Sequence, residues 1–570
     1  MKKITTIALL CTCYALISSC TKEVLTETFY TPLENTKASS SSTFNEGPMM
    51  IGQRLDNPYN VNNMRAAYDS LVKSGEPINV PITIITTTHY HIKFTPKNAD
   101  EFNDLEEIEN LDLFDHPLDC EIITPGSYYR EPGLADSVPT PQYTSLTIAE
   151  WSKIKKNLNI EYEILDELCI DPVRHVGTFA LSTTDDFMTD FDMIVEKSFE
   201  ITGNAEETPM TRSSNKWTPS GRITAYDRAV GGQIPIKGVK VVTNTFCNKS
   251  VAYTDEQGYF TCSKSYKNKV HYKIIWESTR WDIRDGWLIQ AYYNDGQKRN
   301  SPWYLAIPNG DNKTLRYSVI HRALYRYYYG DNLGLLRPSN QRKEKIAYLH
   351  KAGNEINGDY WLQLGAGVLP DIRIYGKSSG TGDFREESEL FRTMCHELGH
   401  ASHYTNSFLK FCGSDLEIIE SWANCTAFIL TEKEHTELDV IDVVFPSENF
   451  KVPIRGGIST IISMIIPNNI NRQQWRKNSN EYTPLFIDLY DDINQRDYYY
   501  YYNENHNTNI DISSYPNDNV HINNAPLIEN IAINSKSFSE VKTKLLQKIT
   551  DGSLKNVSTS SINTLFESYE

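Results

Sequence analysis

The sequence predicts a multidomain α+β chain. It has an N-terminal mixed α/β domain over residues 50–203, a small all-β sandwich over 221–295 and a mainly helical domain over 300–570. Three observations lead there. A length of 570 residues exceeds what one hydrophobic core supports. Polar stretches at 20–49 and 204–220 interrupt the chain. Between and after them the spacing of apolar residues passes from mixed, to alternating with Gly and Asp turns, to helical. A composition of 39% hydrophobic and 23% charged residues excludes wholesale disorder. A net charge of −17, with no run of Lys or Arg, argues against a nucleic-acid partner, which needs a concentrated basic face.

At the amino terminus, Lys2 and Lys3 precede a mostly apolar stretch over 4–18. A bilayer span needs about 20 residues, so this is the layout of a cleaved signal peptide, residues 1–19. The stretch ends Leu16-Ile17-Ser18-Ser19-Cys20, which resembles the lipobox of bacterial lipoproteins. The resemblance implies cleavage before Cys20, lipidation of Cys20 and attachment to a membrane through that anchor. With Thr21 rather than Asp after the cysteine, it also implies the outer membrane of a Gram-negative cell envelope. Residues 20–49, with Ser39-Ser40-Ser41-Ser42 among them, have too little apolar content to pack and read as a tether.

In the N-terminal domain, residues 63–71 have helical spacing, and Tyr90, Ile92 and Phe94 alternate with His91 and Lys93 as in a half-buried strand. His89 and His91 form an HxH pair without a third ligand in sight, and read as surface strand histidines. After the linker at 204–220, residues 221–225, 235–242 and 252–260 give short alternating strands. The run Pro235-Ile236-Lys237-Gly238-Val239-Lys240-Val241, then Thr254-Asp255-Glu256-Gln257-Gly258-Tyr259-Phe260, resembles the carboxypeptidase regulatory-like β-sandwich. That resemblance implies a spacing or docking role and no chemistry. Beyond Cys20 the chain carries Cys120, Cys169, Cys247, Cys262, Cys395, Cys412 and Cys425, an odd number, so at least one stays unpaired within the chain. Export permits disulfides, and Cys247 with Cys262, on neighbouring strands, is the best candidate pair.

In the C-terminal domain, residues 315–329 read as a Tyr-rich helix and 371–375 as a strand. The apolar run 458–466 is too short for a membrane and reads as buried core. Five tyrosines, Tyr498 to Tyr502, imply partial burial of alternate rings. The informative segment is His396-Glu397-Leu398-Gly399-His400, an HExxH motif for which the chance expectation in this composition is roughly 0.04. Leu390, Met394, Leu398 and Ala401 share related faces, so the motif sits on a helix. Four helical residues rise about 6 Å, which sets both imidazoles on one side, with room for a zinc about 2.1 Å from each. Glu397 projects beside them, where it can take a proton from water on the metal.

A catalytic zinc keeps three protein ligands and one open position. His403 lies seven residues, about 10.5 Å along the axis, from His396 and cannot share the ion. Position 406 is Asn406, which excludes the zincins whose third ligand is a histidine there. Ser414 and Glu417 form a capping box that opens a further helix. On it Glu420 lies among Ile419, Ala423 and Ala427, where an unpaired carboxylate is costly and a metal resolves the cost. The whole set resembles the gluzincins, the thermolysin-like zinc peptidases, in which a glutamate on the helix after HExxH completes the site.

That resemblance implies a zincin-like catalytic domain, Zn²⁺ on His396, His400 and Glu420, Glu397 as general base, and a protein or peptide substrate. The family often has an Asp four residues after the glutamate to steady a ligand histidine; here Asn424 stands there. Tyr404, His435, Tyr482, His506 and His521 are candidates for the oxyanion donor, and the strand 371–375 is where the family lines up substrate backbone. Two other catalytic patterns fail. Gly376-Lys377-Ser378-Ser379-Gly380 fits GxSxG, but the loop continues where a nucleophile elbow needs a helix. Cys395 and His396 point about 100° apart on their helix, so Cys395 reads as a buried structural thiol. The rival reading is a non-catalytic surface-binding lipoprotein, for glycan or protein, with zinc structural or absent. Glu397 separates the two, because a structural zinc needs no base.

Overall fold

In the computed structural model of the chain, the described residues are 46–135, 137–171, 184–205, 216–339, 342–353, 358–360, 370–378, 380–438, 448–453, 459–464, 483–492, 494–506, 509 and 511–569. The signal stretch, Cys20 and nearly all of the tether lie outside them, as do the middle of the 204–220 linker and Tyr482. No described helix is long and apolar enough to cross a membrane. The chain is a mixture of helices and several sheets.

Alternation in strand His89–Thr95 turns Ile92 and Phe94 into a core with Leu146 and Trp151. It is the central strand of an antiparallel sheet, between Gln142–Thr147 and Glu161–Leu168. Helix Val61–Lys73, opened by the Asn60 side chain, buries Met64, Ala67 and Leu71 against Phe191 and Ile194 of helix Thr184–Ile201. His91 departs from expectation. It is wholly buried, because the second face of the strand is covered as well, by Asp119 and Asp166; His89 is only half-buried.

The β-sandwich consists of two four-stranded sheets. One carries Ser220–Asp227 between Tyr259–Thr261 and Trp303–Ile307, with Gly232–Pro235 also paired to it. The other runs Tyr292–Arg299, Val270–Ile275, Lys240–Thr245, Asn248–Tyr253. The expected boundary near residue 295 is not one in strand pairing. Trp303–Ile307 lies beyond it, yet runs parallel to Ser220–Asp227. Trp281–Asp285 lies before it, yet joins a different sheet, parallel to Glu344–Ala352. The expected Cys247–Cys262 bridge is also absent, both thiols being free. Cys262 faces Thr243 inside the sandwich, whereas Cys247 belongs to the cluster that packs the sandwich onto the N-terminal domain and accepts a bond from Asn57.

The C-terminal helices rest on a five-stranded sheet ordered Ile289–Gln290, Trp281–Asp285, Glu344–Ala352, Ile372–Lys377, Gly358–Tyr360. The three middle strands run parallel and both outer ones antiparallel to their neighbours. Helix Lys313–Tyr328 realises the Tyr-rich segment, with Leu315, Val319, Ala323 and Tyr327 buried. Arg322 and Arg326 on it share the buried Glu434 carboxylate, at 2.9 and 2.6 Å, and Arg322 also reaches Asp227 of the sandwich at 2.7 Å. The run of five tyrosines lies in helix Gln495–His506, with Tyr499 buried and stacked on Tyr515 at 4.1 Å while Tyr500 is exposed. The apolar run near 458–466 contributes strand Ser459–Met464, paired with Glu448–Pro453; its side chains lie outside the description.

Glu529, on helix Ala525–Ile533, accepts the Leu336 N–H at 2.7 Å, and its other oxygen is buried without a hydrogen bond. Burial pushes its carboxyl up to about 8. The folded chain therefore holds a proton that the unfolded chain releases near its ordinary value, and the associated stability is lost as pH rises from there through about 8. Glu529→Gln keeps an acceptor for Leu336 and removes the titration. Its gain in Tm is expected to be small at pH 5 and largest at pH 8, as thermal melts across that range would record.

Candidate metal centre

The HExxH motif lies on helix Glu387–Asn406, which starts at a reciprocal cap between Glu386 and Glu389. Arg385 ties this start to strand Ile372–Lys377 through its N–H on the Gly376 carbonyl, and its guanidinium bonds the Thr393 hydroxyl one turn before the motif. Glu420 lies on helix Leu416–Glu437. The Ser414–Glu417 capping box does not form: Asp415 is the N-cap, and the Ser414 hydroxyl donates instead to the Lys410 and Ser535 carbonyls. Tertiary partners have claimed the side chain that the local pattern assigns to the cap.

What lets the two helices meet is Gly399, the fourth residue of the motif. A Cβ there would sit 3.1 Å from Ala423 Cα and 3.2 Å from Thr426 Cβ. A glycine in mid-helix costs about 1 kcal/mol against alanine, so it marks a packing demand. Close approach at this point carries Glu420, one turn before Ala423, over the two histidines.

The resulting constellation is tight. His396 Nε2 lies 3.0 Å from His400 Nε2 and 3.3 Å from Glu420 Oε2, and His400 Nε2 lies 3.5 Å from Glu420 Oε1. The imidazole planes stand at 90°. All three side chains are at most 8% exposed. Bonds of about 2.1 Å to one tetrahedral ion set neighbouring donors about 3.4 Å apart, so two imidazoles and a carboxylate at these spacings fit zinc. Electrostatics agree. Burial lowers the His396 pKa, favouring the neutral imidazole that ligates metals. Burial alone would raise Glu420, but the two histidines outweigh it and hold the carboxylate well below the usual range.

Glu397 is pushed the opposite way. Burial, then the nearby Asp359 and Glu420, raise its carboxyl well above the ordinary value. Its Oε2 is buried without a hydrogen-bond partner, and the Tyr360 backbone N–H reaches the carboxylate. Two neighbouring carboxylates driven apart in this way suit different roles. The other wall is the edge strand Gly358–Tyr360, where a Cβ on Gly358 would come within 2.9 Å of Glu397 Oε1 and 2.8 Å of Thr393 Cγ2. Asp359 in the same strand pairs with Arg373, at 2.7 Å to its Nε.

Several expectations need correction. The strand expected to present its backbone to substrate, 371–375, is internal, hydrogen-bonded on both sides; the edge strand is Gly358–Tyr360. His403 is fully buried against Phe411, where burial pushes it down to about 3, and it is outside the His396–His400–Glu420 group. Asn424 accepts from Arg392 at 3.3 Å. His435 lies fifteen residues, about 22 Å, beyond Glu420 on the same helix, which removes it as an oxyanion donor. His521 is exposed and bonded to the Asp491 carbonyl. Tyr482 and the His506 side chain lie outside the described residues. Tyr404, one turn past His400, packs its ring against Tyr360 of the edge strand at 6.0 Å. Of the rejected patterns, Cys395 is buried, and among the described residues no helix begins after Ser378 until Glu387.

No family model, no curated protein and no solved structure matches the chain.

Proposed function

We propose that the chain is a lipid-anchored extracytoplasmic zinc metallopeptidase of gluzincin type. One observation carries the reading: a glutamate from a second helix meets the two HExxH histidines at metal-ligand spacing, with the motif's own glutamate buried beside them. A purely structural zinc would more often take four protein ligands and has no use for that neighbour.

In this reading His396, His400 and Glu420 hold Zn²⁺, which supplies acidification of a water and polarisation of the scissile carbonyl. Glu397 takes the proton from the attacking water and returns it to the leaving amine nitrogen. Its high proton affinity suits both halves of that transfer, and the Tyr360 N–H fixes the carboxylate at the edge strand. Among the described residues Gly358–Tyr360 ends the five-stranded sheet, an edge to which, apart from the Tyr360 N–H on Glu397, an extended peptide can add as one more strand, which supports a protein or peptide substrate. Tyr404, beside that strand, is the favoured oxyanion donor. The lipobox-like run ending at Cys20 supports attachment to the outer membrane.

The test is hydrolysis of a casein-like protein by the purified chain, lost on chelation and restored by zinc. Zinc-loaded protein that leaves casein and a broad peptide library intact would overturn the reading in favour of a surface-binding role. A second expectation concerns Gly358→Ala. The added methyl pushes Glu397 Oε1 and Thr393 from the wall of the site, so kcat is expected to fall by up to about a hundredfold, with zinc content unchanged. Steady-state kinetics beside metal analysis would show it.

A further inference from the structure

A second group of ligating side chains lies in the N-terminal domain. His91 and Asp166 face each other across strands His89–Thr95 and Glu161–Leu168, where the ladder is irregular between His91 and Ile92. Such a bulge re-aims a side chain. Asp119 comes from elsewhere, immediately before strand Cys120–Thr124, which pairs with Met50–Arg54.

The His91 ring is completely buried beside the Cys247 thiol, yet neither of its nitrogens makes a hydrogen bond of good geometry, and Asp119 Oδ1 is buried without one as well. Nδ1 stands 3.4 Å from Asp119 Oδ2 and 3.8 Å from Asp166 Oδ2. A hydrogen-bonded imidazole would sit closer, at about 2.7–3.2 Å, with the oxygen in line. Donors gathered around a common ion show the wider and angled spacing instead, about 3.4 Å for bonds near 2.1 Å. In the His396–His400–Glu420 centre the carboxylate oxygens likewise stand 3.3 and 3.5 Å from the imidazole nitrogens, and in both groups every donor atom lies within 4.8 Å of the others.

The surroundings hold these donors in place. Asn60 donates to Asp166 Oδ1 at 2.8 Å. The Arg54 guanidinium, 44% exposed, reaches Asp119 Oδ2 at 2.8 Å and also bonds Asp166 Oδ2, the two oxygens that face His91, so an ion here would have to share them with Arg54 or take Asp119 Oδ1. Its single positive charge offsets one of the two negative charges, and Asp119 Oδ1, which has no partner, stays open to an ion. Outer contacts of this kind orient ligating carboxylates.

We propose that His91, Asp119 and Asp166 form a second, structural site for a divalent transition-metal ion. It pins the three-stranded sheet to the Met50–Arg54 and Cys120–Thr124 ribbon. An imidazole with two carboxylates suits first-row ions such as zinc or manganese, and zinc is the probe. The site does not depend on the peptidase reading.

The full chain, stripped with chelator and reloaded with Zn²⁺, is expected to hold two ions. His91→Ala and the double variant His396→Ala/His400→Ala should each hold one, a different one. Asp166→Asn, milder for folding, should weaken the second ion at least about tenfold. Zinc should also raise the Tm of the double variant, and that rise should vanish when His91→Ala is added. Equal zinc content in wild type, His91→Ala and Asp166→Asn would overturn the proposal, leaving an ionic knot of His91, Arg54 and the two aspartates. That outcome leaves the first centre untouched. Loss of zinc at the first centre alone would show one ion in wild type, removed by His91→Ala and kept by the double variant.

Discussion

Glu397→Gln is expected to bind zinc as the wild type does and to lose about 10²–10⁴-fold in kcat, with KM little changed. The substitution keeps the shape of the side chain and the acceptor for the Tyr360 N–H while removing the group that accepts a proton. A loss in kcat and kcat/KM together, without a change in KM, marks an interaction made in the transition state rather than in substrate binding. Folding should not suffer. The wild-type carboxyl is 1% exposed with one oxygen unpartnered, so a neutral amide is no worse in that place. Thermal melts and zinc analysis beside the kinetics separate this from general damage. Equal cleavage by both proteins at equal zinc content would remove Glu397 as the base.

Glu420→Gln is expected to keep the fold and to weaken zinc by more than the 10–100-fold that outer contacts are worth, because a charged ligand is lost outright. The readout is competition against a chelating dye, with a second signature in stability. Zinc at a hundred times its dissociation constant adds about 2.7 kcal/mol to the folded state. The rise in Tm that zinc produces at this centre should therefore largely disappear in the variant. A variant that holds zinc as tightly as the wild type would show that Glu420 is a buried partner of the histidines and nothing more. These two glutamates make a useful pair: one variant is expected to keep the metal and lose turnover, the other to lose both.

Much of this centre was legible before the structure because its geometry is local. The spacing of His396 and His400 fixes a common helix face, and Glu420 stood out as an acid in an apolar helix face with nothing nearby to neutralise it. The less legible parts depend on contacts distant in sequence. Gly399 reads as a weak spot in a helix until Ala423 is placed above it. The edge strand Gly358–Tyr360 is three residues long, too short for any alternation to show. His91 alternates with apolar neighbours as a surface residue would, but Asp119 and Asp166 cover that face. The sandwich boundary failed for a related reason: turn residues report where one strand stops and the next starts, and say nothing about which sheet each joins.

The crossing over of strands between the sandwich and the sheet beneath the HExxH helix bears on where this chain can be cut. A module strung between linkers can be lifted out of a gene and replaced. Here an exchange of residues 221–295 would take Trp281–Asp285 out of the lower sheet and leave Trp303–Ile307 without its parallel partner. The two halves are therefore one unit in strand pairing. Any recombinant fragment meant to isolate the HExxH helix has to begin upstream of residue 220.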